Sequence, residues 1–382
     1  MKVAGACGRR RIPLLALECA VIRSRRGWSF DTLAASTLEE GDMKRIRQLA
    51  LAGLVGAALA APAHAQTTLT MSSWVPPSHP LTKNFLQGWA NEAEKVTGGR
   101  VRFQMLPKAP VAPPGTFDAV RDGQVDLSYV TASYTPARHT LPKLGELPGG
   151  GATATINSIA YSRIHWKHLH QAGEYNGVHL IGVFSHGPGQ IFNTKRPVTK
   201  VADLAGLKIR TGGGIAADMG KALGASMMFK PAPESYEILK TGVADGLFFP
   251  LESPASFKLE KLIKYATIFP GGFYSSTFGF FMNPGKWDKL SKQDQDALKK
   301  ISGEWVARFA GGVWDKADQV GLDLMKKSGT RITQASPAFV KEVMAKADPI
   351  IEDWIAQANA KGIDGPRVLA EFRAEVRKLS AR

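Results

Sequence analysis

Cysteine is almost absent from this 382-residue chain, occurring only at Cys7 and Cys19 near the N terminus. The long remainder can therefore form no disulfide and offers no thiol nucleophile or thiolate metal ligand. The patterns G-x-S-x-G, H-E-x-x-H and S-x-x-K are missing too, and the eight histidines show no spacing typical of a catalytic triad or a metal site. The sequence thus predicts no catalytic residue, no metal and no cofactor.

Residues 43–65, MKRIRQLALAGLVGAALAAPAHA, combine a basic start, a short uncharged apolar run and a small-x-small cleavage site ending at Ala65. The apolar run is shorter than the roughly 20 residues that span a bilayer. We therefore predict a signal peptide at 43–65, a periplasmic mature protein, and an upstream extension at 1–42 added by a misassigned start. A buried core helix is the alternative. The mature chain would contain no cysteine, and hence none that could carry a lipid anchor.

Acidic residues are outnumbered: from residue 66 onward, 39 lysines and arginines face 28 acids, a net charge of +11. A basic balance can indicate nucleic-acid binding. Here, however, basic residues alternate with acids, as in KWDKLSKQDQDALKK, which is typical of a solvated helix face. The sequence therefore predicts no nucleic-acid partner, and a mildly positive field that favours anionic small molecules.

From residue 66 onward, short β-type runs alternate with helical segments. Leu81, Phe85 and Trp89 recur every fourth residue on one face of a predicted helix between the strands TLTMSSWV and RVRFQMLP. The β-α-β-α-β order predicts a parallel sheet with helices on both faces, and a second α/β unit starts at GVHLIGVF. The apolar run FYSSTFGFFMNP predicts a buried strand that crosses between the units. The chain after Ser291 predicts one long helix or two, bent at Gly311-Gly312.

The fold class expected from this pattern is α/β, with two lobes, crossing strands and a long C-terminal helical region. One lobe is expected to comprise residues 66–187 and 275–315, and the other residues 188–274 and 316–382. In such folds ligands bind beyond the carboxyl ends of the strands and between the domains. A cleft between the lobes is therefore the expected site.

The stretch LKIRTGGGIAADMGKALGA, residues 207–225, predicts a strand, a glycine turn and a helix. Its GGGIAA segment fits a dinucleotide turn, but it lies in mid-chain, and such turns hold pyrophosphate through backbone N–H groups rather than an arginine. Arg210 at the strand end instead suggests a guanidinium that grips a carboxylate beside a helix N terminus. An ion pair between Arg210 and an acid such as Asp218 is the alternative.

On these segments the chain, from about Leu69 onward, resembles the substrate-binding proteins of TRAP (tripartite ATP-independent periplasmic) transporters. The similarity is carried by SSWVPPSHPLTKNFLQGWANEAEKVTGGRV, VRDGQVDLSYV, VTKVADLAGLKIRTGGGIAADMGKALGA, ESYEILKTGVADG and MNPGKWDKLSKQDQDAL. The resemblance implies a two-lobed periplasmic solute-binding protein fold that closes on an organic acid. It also implies delivery to a sodium-driven permease built from a small and a large membrane subunit. The arginine of the KIR strand, Arg210, is implied to bind the ligand carboxylate.

Several positions depart from the family pattern. Gln190 stands where many members have a second arginine, and Phe248 and Phe249 replace a Glu-Asn pair. Trp74 follows the first strand at a place that is often polar in the family. Ordinary core packing is the alternative explanation for each aromatic residue. Together with Arg210, the residues predicted to bind the ligand are Trp74, Thr131, Tyr134, Gln190, Gly213, Phe248 and Phe249.

One cation among aromatic side chains predicts a monocarboxylate with an apolar or aromatic body, because a second carboxylate would be buried unpaired. A 2-oxo or 2-hydroxy group on that body is expected to be recognised by Gln190 or Thr131. A second cation from Lys195, Arg196 or His186 stays open as an alternative. The protein is thus predicted to be a solute receptor and not an enzyme. The binding protein of an ATP-driven importer and, less favoured, a secreted hydrolase are the competing functions.

Overall fold

The computed structural model describes residues 66–381. The predicted upstream extension and signal peptide lie outside this range. The described chain forms two mixed β-sheets with helices packed around them, which confirms the predicted α/β class. Within residues 66–381 no helix is both long enough and apolar enough to cross a bilayer.

Eleven strands occur in the described part of the chain. In chain order they are β1 (Thr67–Met71), β2 (Val101–Met105), β3 (Leu127–Thr131), β4 (His179–Ser185), β5 (Gln190–Asn193), β6 (Lys208–Thr211), β7 (Ser226–Phe229), β8 (Gly246–Phe249), β9 (Tyr265–Ile268), β10 (Thr277–Met282) and β11 (Arg331–Gln334).

The first sheet has the strand order β2-β1-β3-β10-β4, and the second has the order β11-β9-β5-β8-β6-β7. In each sheet one strand runs against its neighbours: β10 in the first sheet and β5 in the second. Each reversed strand is the first one formed after the chain crosses from one sheet to the other. The expected parallel pairing is therefore correct except at the two reversed strands, of which β10 lies in the predicted apolar run.

The helices cover the faces of both sheets. Their bounds are α1 (Leu81–Leu86, a π-type turn, continuing as Gln87–Val96), α2 (Thr116–Arg121), α3 (Ala154–Ile164), α4 (Gly214–Ala222), α5 (Ser235–Lys240), α6 (Ser253–Ser256), α7 (Pro284–Asp288), α8 (Lys292–Lys299), α9 (Glu304–Ser328), α10 (Pro337–Ala345), α11 (Asp348–Ala360) and α12 (Gly365–Ser380). The predicted apolar face of α1 is buried at Leu81, Phe85 and Trp89.

The long helix α9 runs unbroken through Gly311-Gly312, so of the two predicted forms the single long helix is correct and a break at this pair is wrong. The break lies earlier, between α8 and Gly303. Gly311 serves a close helix crossing instead: a Cβ there would lie 2.5 Å from the Cα of Thr155 at the start of α3. A Cβ on Gly321 would lie 1.9 Å from the carbonyl oxygen of Leu251. These glycines bring α9 close to segments that border the site.

The strands of the first sheet come from residues 67–185 and 277–282, and those of the second from residues 190–268 and 331–334. The last helix, α12, which was expected to belong to the second lobe, packs against α3 beside the first sheet. There Nη1 of Arg163 lies 2.8 Å from Oε2 of Glu375. The lobe boundaries stay a prediction.

Candidate ligand-binding site

A cavity lies between the two sheets. Small-molecule sites are typically clefts of this kind and often lie between domains. Segments that follow β1 and β3 form one wall, and the ends of β6 and β8 form another, which is where ligands bind in such sheets. Its lining side chains include Trp74, His79, Thr131, Tyr134, His186, Arg210, Phe248, Phe249, Glu252, Tyr274, Phe278 and Trp314.

Arg210 is the sole lysine or arginine among the described residues that line this cavity, and it is only 2% exposed. Its Nε and Nη2 atoms donate hydrogen bonds to the carbonyl oxygen of Lys230 at 2.9 and 2.6 Å. A guanidinium has five N–H donors, so three are not used by Lys230, and the hydroxyl of Tyr134 also lies beside the guanidinium. Burial lowers the pKa of Arg210, but an arginine stays charged at neutral pH.

Within residues 66–381, no carboxylate oxygen lies within 4.0 Å of the Arg210 guanidinium. Asp218, the alternative ion-pair partner considered from the sequence, lies 3.7 Å from Nζ of Lys143. Glu234 lies 3.1 Å from Nζ of Lys230. A buried cation without a paired carboxylate is costly, so this geometry favours an anionic ligand.

Phe249 lies beneath the guanidinium, with the Cζ atom of Arg210 4.3 Å from the ring centroid. Strand β8 runs parallel to β6, which places the end of β8 beside Arg210. Phe249 in turn stacks on Phe257 at a centroid distance of 5.6 Å. Tyr134 follows β3 of the first sheet and reaches toward the second sheet. Its hydroxyl accepts a hydrogen bond from the backbone N–H of Ala232, which follows β7, at 2.8 Å. Aromatic groups therefore border the cation on several sides.

The helix start that follows Arg210 is occupied by a carboxylate of the protein itself. Oε2 of Glu146 accepts a hydrogen bond from the backbone N–H of Ile215 in the first turn of α4, at 3.1 Å. Oε1 accepts from the backbone N–H and the hydroxyl of Thr277, both at 3.3 Å. Burial raises the pKa of Glu146 to about 7. The sequence suggested that this helix start would bind the ligand anion. In the structure the side chain of Glu146 occupies the helix start instead and links the two sheets.

Trp74 and Thr131 line the cavity from the first sheet. The indole N–H of Trp74 donates to the carbonyl oxygen of Tyr129 at 2.9 Å, which fixes the ring 5.6 Å from that of Tyr134. The hydroxyl of Thr131 is hydrogen-bonded to that of Ser133 at 2.9 Å. Trp74 thus presents an apolar surface, whereas Thr131 keeps a polar one.

Phe248 and Gly213 differ in their relation to the cavity. Phe248 contributes to the wall but also packs in the core, 5.0 Å from the ring of Phe273. Gly213 borders an adjoining surface cavity rather than the one that contains Arg210. It has a φ of 108°, and a Cβ there would lie 2.7 Å from the carbonyl oxygen of Ser133. Glycine is needed at this position so that the turn can approach Ser133 closely.

Gln190 does not reach the cavity. Its Oε1 atom accepts a hydrogen bond from the backbone N–H of Phe269 at 2.7 Å, and Nε2 donates to the carbonyl oxygen of Pro188 at 3.2 Å. The sequence-based role in ligand recognition therefore does not fit its position, because the amide is used to hold the backbone beside β5. Lys195 and Arg196 also lie off the cavity wall; Nζ of Lys195 is 3.4 Å from a carboxylate oxygen of Asp245.

A polar part of the wall was not predicted from the sequence. Nε2 of His79 lies 2.9 Å from Oε1 of Glu252, and both side chains are fully buried. The backbone N–H of Glu252 donates to Oδ1 of Asp318 on α9 at 2.8 Å. Trp314, one turn earlier on α9, completes this region. These residues come from three distant segments, and no local pattern links them.

His186 also lines the cavity and is neutral at neutral pH. Burial lowers the pKa of His186 to about 4. Its Nδ1 atom lies 2.5 Å from the carbonyl oxygen of Gly187, which can only accept, so Nδ1 carries the proton. The sequence left open whether His186 provides a second cation for the ligand. The neutral imidazole of His186 does not provide one. Within residues 66–381 no group of three or more acidic, histidine or cysteine side chains is arranged to hold a metal.

Two α/β units around a cavity with a buried cation define a solute-binding protein of the two-lobed class. The family described as "Bacterial extracellular solute-binding protein, family 7" matches residues 71–357. The chain belongs to this family, the solute receptors of TRAP transporters. The family consists of periplasmic transport receptors rather than enzymes, and its members bind small organic acids and work with TRAP membrane permeases.

Known relatives share the fold over nearly their whole length. A TRAP periplasmic solute-binding protein from Bordetella bronchiseptica, solved with bound (R)-mandelate and (S)-mandelate, is 48% identical, with a TM-score of 0.80, over 82% of this chain and 99% of that one. A marine metagenome TRAP solute-binding protein specific for aromatic acid ligands, solved with 3-hydroxybenzoate, is 29% identical, with a TM-score of 0.77, over 82% and 99% of the two chains. "Outer membrane transporter protein TsaT" of Comamonas testosteroni is 29% identical over 86% of this chain and 97% of that protein.

Proposed function

We propose that this protein is the extracytoplasmic receptor of a TRAP transporter for a monocarboxylate with an aromatic body. It delivers the acid to a sodium-driven permease after export through the signal peptide at residues 43–65. The proposal rests mainly on Arg210. Its guanidinium is buried, has donors that are not used within the protein, and has no carboxylate within 4.0 Å in residues 66–381. It is also the sole lysine or arginine on the described cavity wall.

The walls support an aromatic body for the ligand. Trp74, Phe249, Tyr274 and Phe278 line the cavity that contains Arg210. Rings of this size bury about 150–250 Å² each and pair favourably with another ring. The 48% identical protein from Bordetella bronchiseptica was solved with mandelate, which has one carboxylate and one phenyl ring. Thr131 is close enough to the cavity to contact a polar group on the ligand.

The charge distribution argues against a dicarboxylate. Beyond Arg210, the described cavity wall carries the neutral His186 and the carboxyl group of Glu252, which contacts His79. A second ligand carboxylate would have no lysine or arginine to pair with and would approach the carboxyl group of Glu252. Burying an unpaired charge costs several kcal/mol. Dicarboxylates such as succinate are therefore expected to bind far more weakly than an aryl monocarboxylate.

Calorimetry with mandelate and succinate, run side by side on the purified mature protein, tests this proposal. Mandelate is expected to bind at least tenfold more tightly than succinate, and to be recovered chemically unchanged. Tighter binding of succinate would overturn the ligand assignment while leaving membership of the family untouched. Conversion of mandelate to a product would contradict a receptor function.

A further inference from the structure

The cavity has a polar end, formed by His79, His186, Glu252 and Trp314, that binding of a carboxylate to Arg210 does not use. On the His79 side of this end, a row of rings leads away from the cation: Phe249 lies under Arg210, and Phe257 contacts Phe249 and His79 at centroid distances of 5.6 and 5.1 Å. The indole ring of Trp314 lies 6.1 Å from that of His79 and 5.9 Å from that of His186. These side chains are nearly completely buried.

The polar end contains a hydrogen-bond donor without a partner. The indole Nε1 of Trp314 is buried and makes no hydrogen bond within residues 66–381. An indole N–H can only donate. Leaving such a group buried and unpaired is unfavourable, so an acceptor on a bound molecule would stabilise the complex.

The same end also contains acceptors. Nδ1 of His186 carries its proton toward Gly187, so Nε2 has a free lone pair. Oε1 of Glu252 lies 2.9 Å from Nε2 of His79 but lacks the alignment of a hydrogen bond, whereas Oε2 accepts from the hydroxyl of Ser253. A donor on the bound molecule could therefore pair with either acceptor.

One donor beside two acceptors matches a hydroxyl group, which both donates and accepts. A ketone would leave the acceptors unpaired, an ammonium would leave the indole N–H unpaired, and a second carboxylate would approach Glu252. Resting on the proposed function, we infer that the polar end recognises a hydroxyl on the body of the aromatic acid, with Trp314 donating to it. The natural ligands would then be hydroxylated aryl monocarboxylates rather than the unsubstituted acids.

The test is calorimetry with phenylacetate as the reference acid against mandelate, 3-hydroxyphenylacetate and 4-hydroxyphenylacetate. These acids keep the carboxylate and the ring but differ in whether, and where, they carry a hydroxyl. At least one hydroxylated acid is expected to bind tenfold or more tightly than phenylacetate, since sites built around a substrate hydroxyl strongly reject analogues that lack it. The acid with the largest gain identifies whether the hydroxyl sits beside the carboxylate or on the ring.

The variant Trp314→Phe keeps the apolar ring and removes the N–H. It is expected to abolish most of that gain, measured as the ratio of the Kd values for phenylacetate and for the hydroxylated acid within the same variant. Thermal unfolding checks that the variant is folded. Trp305→Phe, on the same helix but away from the cavity, is the matched control and is expected to keep the full gain.

Equal affinity of phenylacetate and all three hydroxylated acids would overturn the inference, as would a gain that survives in Trp314→Phe. Both results leave the proposed function intact, because phenylacetate still binds. Absence of binding by all four acids would instead overturn the proposed function, and the inference with it.

Discussion

The two ends of the cavity differ in the charge that they accept. At one end Arg210 is buried over Phe249, with donors free and no carboxylate within 4.0 Å in the described part of the chain. At the other end Glu252 contacts His79, and the described residues of that end include no lysine or arginine. A ligand that suits both ends has an anion on one side and a neutral hydrogen-bonding group on the other. This asymmetry is what separates a monocarboxylate from a dicarboxylate.

Removing the cation should have the largest effect. Arg210→Ala is expected to weaken binding of an aryl monocarboxylate by about 2–5 kcal/mol, or roughly 30- to several-thousand-fold in Kd. Arg210→Lys should also bind poorly, because an ammonium cannot reproduce the planar fork. Calorimetry gives the affinities, and thermal unfolding checks that each variant is folded. Arg308→Ala, an exposed arginine on α9, is the control. An Arg210→Ala protein that binds within threefold of wild type would reject the clamp.

The link between the sheets should depend on pH through Glu146. Burial raises the pKa of Glu146 from 4.5 to about 7, so the folded state holds this proton more tightly than the unfolded chain. The stabilisation is therefore complete below pH 4.5 and is lost as the pH rises through about 7, by up to about 3 kcal/mol. Glu146→Gln cannot ionise and should lack this loss.

The measurement is chemical denaturation of wild type and Glu146→Gln at pH 5 and pH 8. Buried histidines such as His165 and His186, whose pKa is lowered, give the opposite slope below pH 6.5, so the difference between the two proteins isolates Glu146. Glu237→Gln, at an exposed site, is the control. Parallel stability curves for wild type and Glu146→Gln would show that the buried carboxyl does not titrate as described.

Removing the ring beneath the cation should have an intermediate effect on binding. Phe249→Leu keeps an apolar side chain but loses the cation–π contact at 4.3 Å, worth about 2 kcal/mol in a desolvated site. We expect roughly 30-fold weaker binding of aryl acids by calorimetry. Phe229→Leu, at an exposed ring on the neighbouring strand β7 that does not line the Arg210 cavity, should bind normally. Equal losses in the two variants would point to a general effect on folding instead.

Changing Gln190 should have the smallest effect on binding. Gln190→Leu leaves the backbone N–H of Phe269 without its acceptor, which costs about 1–3 kcal/mol of folding stability. The affinity for ligand should stay within threefold of wild type, since Gln190 lies off the cavity. Denaturation and calorimetry on the same preparation separate the two outcomes. A variant of normal stability that binds poorly would restore Gln190 to the site.

The sequence predicted the Arg210 end of the cavity better than the polar end for a physical reason. Arg210, Phe248 and Phe249 lie at the ends of parallel strands, and the carboxyl ends of such strands meet at one edge. The local sequence pattern was therefore enough to predict that these residues lie close together. His79, Glu252 and Trp314 meet only because α9 packs closely on the segment after β8, through Gly321. Long-range packing of that kind leaves no periodic signal.

The errors have physical causes too. Gln190 sits at the first position of β5, and side-chain direction there decides whether its amide meets the ligand or the backbone of Phe269. The helix start after Arg210 has the features of an anion site, but the group that occupies it is the carboxyl group of Glu146, about seventy residues earlier in the chain. Gly311-Gly312 resembled a helix bend because glycine has low helix propensity, yet close contact with α3 is what requires Gly311.

A crystal structure of the protein with bound mandelate tests the central claim most directly. It should show both carboxylate oxygens within about 3.2 Å of the Nη1 and Nη2 atoms of Arg210, with the phenyl ring packed between Phe249 and Phe278. A carboxylate placed instead against His79 and Trp314, or a ligand outside this cavity, would contradict the assignment of Arg210 as the group that selects a single carboxylate.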